Sequence, residues 1–312
     1  RDWSSDVCSS DLGWRTAALP ASAALFNGGR RVMTEVSDFS QKMGGQAPAS
    51  LAAMQATAAW QAAWGVTDFT LYYRIADRSR DEYRAYCDYV GRLNAALKPA
   101  RWTPETLLYY PVYDLWSEYK PVAEPLSLGS QSPRAQRIVQ SFEWLGGALQ
   151  RRQIPFALVD HERLAGAKAE GASLRCGDHV FKAVALPAGV ELPQAADAAL
   201  RQFAANGGCV LRDDPALRTG WSAATDKLRP APLAPGAEEI ALGRFHREDR
   251  EVLLLVNLSQ KPYEGTLAVA GGAWRRMDPA SGAIEAAPAA EGKLAVSLAP
   301  RQALIYTGAP GR

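Results

Sequence analysis

Glu35 is the residue of this chain whose type and place could carry chemistry. It closes a short strand-like stretch over 31–35 and opens a polar, glycine-rich loop over 37–48, which also holds Asp38. A carboxylate at the mouth of a strand can attack as a nucleophile or move a proton. Further along, Tyr72 and Tyr73 end a largely apolar stretch over 66–73, and Arg74 follows it. Their aromatic faces could stack on a ligand, and the guanidinium could donate hydrogen bonds to it. Each has a plainer reading. A loop acid can be solvated or ion-paired, and strand-end aromatics pack cores as readily as they line pockets.

The elements around these residues read as strand, helix, strand, helix. A mildly helical stretch over 19–27 ends in Asn27-Gly28-Gly29, a suitable C-cap. A strand over 31–35 follows. Ser50 is placed to cap a helix running to about Trp64, with Leu51, Met54, Ala58 and Gln61 at helical spacing. Gly65 closes it, and the apolar run over 66–73 suits a buried parallel strand. A helix over 80–97 then places Tyr83, Tyr86, Val90, Leu93 and Leu97 three or four residues apart. Such β-α-β-α segments cross over right-handed. In a closed β/α barrel, catalytic side chains sit at the C-terminal ends of strands, the position Glu35 would hold.

Residues 99–104 read as a linker, and a second α/β unit follows. Its strands are expected over 106–111, 156–160, 182–187 and 209–212, with helices over 132–152 and 195–206, an aromatic loop over 113–119 and a short turn over 162–165. Alternation of this kind implies a doubly wound sheet of flavodoxin or amidotransferase type. The stretch 213–236 is rich in Pro, Ala and Gly. Beyond it, short strands separated by turn signals such as Gly271-Gly272 suggest an antiparallel β-sandwich. The expected layout is therefore a β/α-barrel segment over 13–100, an α/β domain over 101–215, a linker over 216–236 and a sandwich over 237–312.

Composition narrows the field. With 35 Lys+Arg against 33 Asp+Glu and a net charge of +2, nothing favours nucleic acid or an anionic membrane as partner. No apolar run reaches the roughly 18 residues of a membrane helix. Residues 1–12 lack periodicity and resemble a translated sequencing adapter, so fold reasoning starts at Gly13 and compartment stays open. Beyond them, Cys87, Cys176 and Cys209 match no zinc or redox spacing, and His161, His179 and His246 are scattered. Neither a metal nor another cofactor is expected. Gly207-Gly208 reads as a helix C-cap, since no Lys-Ser/Thr follows it.

Several segments together resemble the C-terminal portion of a multidomain glycoside hydrolase. They are Tyr89-Val-Gly-Arg-Leu93, Leu108-Tyr-Tyr-Pro-Val-Tyr-Asp-Leu-Trp116, Ile154-Pro-Phe-Ala-Leu-Val-Asp160, Gly207-Gly-Cys-Val-Leu211 and Asp278-Pro-Ala-Ser-Gly282. The type is a β/α barrel, then an amidotransferase-like domain, then a β-sandwich, as in some β-galactosidases and α-rhamnosidase-like relatives. The resemblance implies that Glu35 ends the seventh barrel strand, the nucleophile position of a retaining enzyme. Its acid/base partner would lie upstream, so the chain alone is expected to be inactive. Asp38, Tyr72, Tyr73 and Arg74 become candidate contacts to an oligo- or polysaccharide. Two other readings stay open: a non-catalytic carbohydrate-binding or scaffold protein, and an amidotransferase or peptidase relative, which would need a Cys–His pair. Homo-oligomer formation is also left open.

Overall fold

The computed structural model describes residues 13–29, 31–122 and 125–308. The adapter-like residues 1–12 and Arg30 lie outside the described residues. The chain divides into two compact units. The first takes the residues up to Thr103 together with Gln150–Pro155 and Pro230–Arg312; the second takes Pro104–Leu149 and Phe156–Arg229.

The first part of unit one runs α1 (Arg15–Phe26), β1 (Met33–Val36), α2 (Phe39–Met43), α3 (Leu51–Ala63), β2 (Asp68–Leu71), α4 (Arg80–Leu97) and β3 (Arg101–Trp102). Local chemistry sets the helix starts. The Ser50 hydroxyl accepts from Ala53 N at the head of α3, and Ser79 forms a reciprocal capping box with Glu82 at the head of α4. Strands β1 and β2 pair in parallel, with Glu35 beside Thr70 and Val36 beside Leu71. Side chains alternate across a strand. Thr34 and Val36 are buried, whereas Met33 and Glu35 are exposed. Val36 joins Met54, Ala58, Tyr73 and Tyr86 in one core, and the Thr34 hydroxyl donates to Gln61 Oε1 of α3.

Helix α3 buries far more than the one stripe that its spacing predicts. Ala56, Ala59, Trp60, Ala62 and Ala63 are buried as well as Met54 and Ala58, as in a helix packed on more than one side. Its second side lies against β12 (Ile240–Arg247) and β13 (Arg250–Asn257). The approach is close: a Cβ on Gly243 would fall 2.6 Å from the Ala63 Cα. This shared, alanine-rich helix explains why the N-terminal and C-terminal segments form one compact unit.

In chain order the second unit holds β4 (Thr106–Tyr109), α5 (Val112–Trp116), most of α6 (Pro133–Arg151), β5 (Phe156–Val159), α7 (His161–Ala165), β6 (Lys168–Glu170), β7 (Ser173–Cys176), β8 (His179–Phe181), β9 (Ala183–Leu186), α8 (Gln194–Ala205), β10 (Cys209–Arg212) and α9 (Trp221–Thr225). The order β10-β9-β4-β5 is parallel throughout. Strands β4, β5 and β9 are buried along their length, as expected of a parallel sheet interior. The chain reverses its direction of winding at β4, which makes the β4–β9 junction the switch point where this kind of sheet binds ligands. Strands β6, β7 and β8 form a separate antiparallel meander.

The remainder of unit one is antiparallel. Strands β11 (Leu233–Ala234), β14 (Tyr263–Ala268) and β17 (Lys293–Leu298) form one sheet. The other has the order β16-β15-β18-β13-β12-β3, with β15 (Ala273–Met277), β16 (Ile284–Pro288) and β18 (Ala303–Gly308). Leu253, Leu255, Leu267, Leu294 and Leu298 from the two sheets meet in one buried core. At roughly 1.5–3 kcal/mol for each fully buried leucine, these five alone are a substantial stabilising term.

Five expectations need correction. The linker over 99–104 contains β3, whose Trp102 pairs with Phe245 at the edge of β12. The aromatic loop begins as helix α5, and the turn over 162–165 is helix α7, capped by Asp160. The meander over 168–181 stands where the sequence shows no strand signal. The linker over 216–236 carries 3-10 turns, α9 and β11. Elements this short are made by their tertiary partners, and two to five residues show no reliable period.

Candidate functional site

The parallel pair β1–β2 presents two unlike faces. One packs on α3 and α4, where Val36 and Tyr73 meet Met54 and Ala58 of α3 and Tyr86 of α4. On the other, Glu35 lies beside Thr70, and both are exposed. The ladder runs one step further, because Tyr72 N donates to Val36 O at 2.8 Å. By strand alternation Tyr72 shares the open face with Glu35 and Thr70, and it is 59% exposed. Met33 lies on the same face and is 55% exposed. Among the described residues, no hydrogen bond or ion pair engages the Glu35 carboxylate. Arg74 follows, exposed in the turn after β2. Glu35, Tyr72 and Arg74 are thus accessible residues at the C-terminal ends of adjacent parallel strands.

Asp38 and Tyr73, expected to contact a ligand, are turned into the core instead. The Asp38 carboxylate accepts from Arg78 Nη2 at 2.5 Å and from Ala49 N at 3.0 Å. Both side chains of this ion pair are buried, at 2% and 4% exposure. The Tyr73 ring meets Tyr86 edge-on at 5.9 Å and carries the Arg78 guanidinium 4.9 Å from its centroid. The strand period alone could have flagged the conflict, since Tyr72 and Tyr73 cannot both face one side. Nothing local in the sequence announces that Asp38 pairs with an arginine from the loop after the next strand.

Three carboxylates just beyond the same ends of the second unit's parallel strands β4, β5 and β10 are engaged. Asp114, after β4, is buried and accepts from Tyr109 Oη at 3.1 Å, Arg134 Nη2 at 3.2 Å and Glu191 N at 2.6 Å. Asp213, after β10, accepts from Ser141 Oγ at 2.5 Å and from both Nε and Nη2 of Arg218. Asp160, after β5, caps α7. Beside that helix, Tyr113 and Trp116 of α5 pack on His161 with ring centroids 4.7 and 5.9 Å away.

Sequence spacing also missed a cross-strand pair, Cys176 opposite His179 on β7 and β8. Burial pushes the Cys176 thiol up to about 11, the reverse of the lowered value of a reactive cysteine. Burial also raises Cys209. Among the described residues there is no group of three or more His, Cys, Asp or Glu able to hold a metal ion, and no helix is long and apolar enough to cross a membrane.

No family model and no curated protein matches the chain. Solved structures do share its fold. The β-galactosidase from Bacillus circulans sp. alkalophilus aligns with a TM-score of 0.63 at 10% identity, covering 96% of this chain and 58% of that one. The α-L-fucosidase isoenzyme 2 from Paenibacillus thiaminolyticus aligns at 0.61 with 11% identity, covering 97% and 64%. The rhamnosidase from Novosphingobium sp. PP1Y aligns at 0.58 with 15% identity, covering 94% and 32%. The chain has a glycoside hydrolase-like fold. It spans between about a third and two thirds of the length of these three structures.

Proposed function

We propose that this chain belongs to a longer retaining glycoside hydrolase acting on an oligo- or polysaccharide, with Glu35 as its nucleophile. The observation that carries the reading is the state of Glu35: exposed, unpaired among the described residues, and at the C-terminal end of a parallel strand beside Tyr72. The sugar-acting names of the fold neighbours support the substrate class. In this reading residues 13–100 contribute to a β/α barrel, 101–215 form a non-catalytic amidotransferase-like domain and 237–312 a β-sandwich. The open face of β1 and β2 becomes the barrel interior, and α3 and α4 its outer layer.

The chemistry follows from two carboxyl groups on opposite sides of the scissile bond, about 5–5.5 Å apart. Glu35 attacks the anomeric carbon and forms a glycosyl ester, while the second group protonates the departing oxygen. That second group then acts as base toward the water that releases the sugar. The carboxylates near Glu35 in this segment are committed elsewhere, Asp38 to Arg78 and Asp68 to Arg31 and Lys98. The partner therefore comes from a strand outside the described residues. Tyr72 offers an aromatic face to the sugar, and Arg74 a donor to its hydroxyls.

The test is mechanism-based labelling of the complete gene product with a panel of 2-deoxy-2-fluoroglycosides, followed by peptide mass spectrometry. The expected result is an ester on Glu35, with Glu35→Gln lowering kcat by about a thousandfold or more. A label on another carboxylate, or full turnover in Glu35→Gln, removes the assignment. The commitment of Asp38 and Asp68 to basic partners also suits a carbohydrate-binding protein without turnover. Sugar binding that persists in Glu35→Gln, with no hydrolysis by either form, selects that reading.

A further inference from the structure

We infer that Arg78 is a positioning residue that clamps the loop after β1 to the loop after β2 and so sets Glu35 and Tyr72 as one rigid pair. The functional meaning rests on the glycosidase reading; the clamp itself does not. Arg78 is nearly buried, and its guanidinium serves both loops at once. Nη2 bridges Asp38 Oδ2 at 2.5 Å and Ala49 O at 3.0 Å, both from the loop after β1. Nη1 reaches Arg74 O at 3.3 Å in the loop after β2, and Nε faces Met54 Sδ of α3 at 2.9 Å. The planar group also lies over the Tyr73 ring, whose strand neighbour Tyr72 is on the open face. A second ion pair, Lys42 to Asp77, joins the same two loops.

The geometry demands an arginine. A fork of fixed donors can bond a carboxylate, two carbonyls and a ring face together, whereas a lysine ammonium is a single point on a flexible stem. Asp38 completes the clamp by accepting from Ala49 N as well, so either partner's loss frees both loops. Glu35 and Asp38 leave β1 together, and Tyr72 and Arg78 bracket the turn after β2. Rotation of either loop would carry the open-face side chains with it.

The experiment is hydrogen exchange on segments 37–49 and 70–79 of the protein that carries this chain, comparing Arg78→Lys, Arg78→Met and Asp38→Asn with the parent. The clamp predicts that each variant speeds exchange in both segments by about tenfold or more. It also predicts that Asp38→Asn with Arg78→Met is no faster than either single change. Ser79→Ala, which removes only the α4 cap, should affect the first turn of α4 alone. Retained protection in Arg78→Lys, or acceleration confined to the mutated loop, overturns the proposal. Should Arg78→Met fail to fold, Arg78→Lys and Asp38→Asn still give the answer. In the complete enzyme, Arg78→Lys should slow fluoroglycoside labelling of Glu35 and lower kcat by about tenfold or more while KM changes little. Coupled exchange in a protein without hydrolase activity would uphold the clamp and remove the glycosidase reading.

Discussion

Glu35 in the first unit and Asp213 in the second follow from one topological rule and meet opposite surroundings. Each stands at or just beyond the C-terminal end of a parallel strand. Asp213 is buried and held by Ser141 and by both forks of Arg218, which itself lies 4.1 Å from the Trp144 ring. Glu35 is exposed and has no such partner among the described residues. The sheets differ in the same sense. The second unit's four parallel strands flank one another as a continuous sheet, whereas β1 and β2 have helices on one face and an open face on the other. Position at a strand end nominates a carboxylate for chemistry; whether a cationic side chain already pairs with it separates a reactive group from a structural one.

Removing the two carboxylates in turn should expose that difference most strongly. Asp213→Asn removes the charge that pairs with Arg218 and turns one of the two accepting oxygens into a donor facing Arg218 or Ser141, and should cost about 2–4 kcal/mol of stability. Glu35→Gln, at an exposed position, should stay within about 0.5 kcal/mol. Chemical denaturation of the two variants against the parent measures both. Equal costs would mean that Glu35 is tied into the fold and would weaken its assignment as a free nucleophile.

A smaller effect tests the layer that holds the Glu35 ledge in place. A methyl group on Gly243 would meet the Ala63 Cα at 2.6 Å and its carbonyl at 2.8 Å, backbone atoms that cannot turn aside. Gly243→Ala should therefore cost about 1–3 kcal/mol and shift α3. Since α3 also carries Met54 and Ala58 under β1, exchange in 33–36 should rise with it. A destabilisation that leaves those strand amides unchanged would show that the ledge does not depend on the α3 seat.

How far the sequence discloses these features depends on how local each one is. The helix over 80–97 is bounded by its apolar spacing, and residue type alone places the Ser50 cap. The strand over 209–212 was equally plain. Strand β3 looks like linker in the sequence because its two residues become a strand only by pairing with Phe245 and His246, far along the chain. The site divides along the same line. Glu35 at a strand end was legible, whereas the burial of Asp38 depends on Arg78, supplied by the loop after β2. The layering of α3 between two sheets was hidden because alanines give a weak pattern on either side.

Acidity offers a gentler probe of the ledge's other end. Asp68 at the start of β2 is held well below the usual carboxylate range, first by its hydrogen bond from Arg31, then by those from Thr67 and Lys98, against the opposing effect of burial. A carboxyl with a lowered folded value binds protons more weakly folded than unfolded. Its stabilisation is complete above the ordinary aspartate value, about 4, and is lost as pH falls through the depressed folded value. Asp68→Asn should thus lower stability modestly at neutral pH and flatten the decline below about pH 4. A parent and variant with parallel acid profiles would show that Arg31 and Lys98 are solvated and contribute nothing.

The smallest expected effect bears on what the open face meets. Met33 projects beside Glu35 from β1 and is 55% exposed, with Tyr72 across the strand pair at 59%. An apolar side chain in water contributes little to folding, so Met33→Lys in this chain should change stability by no more than about 0.5 kcal/mol. It should also reduce self-association by breaking an apolar surface beside an unpaired strand edge. In a longer protein whose further strands close over this face, the same lysine would be buried without a partner and cost several kcal/mol. Light scattering and denaturation of Met33→Lys in both forms compare the two situations directly. A neutral substitution in both would mean that the face beside Glu35 stays open to solvent, and the β/α-barrel reading would fall.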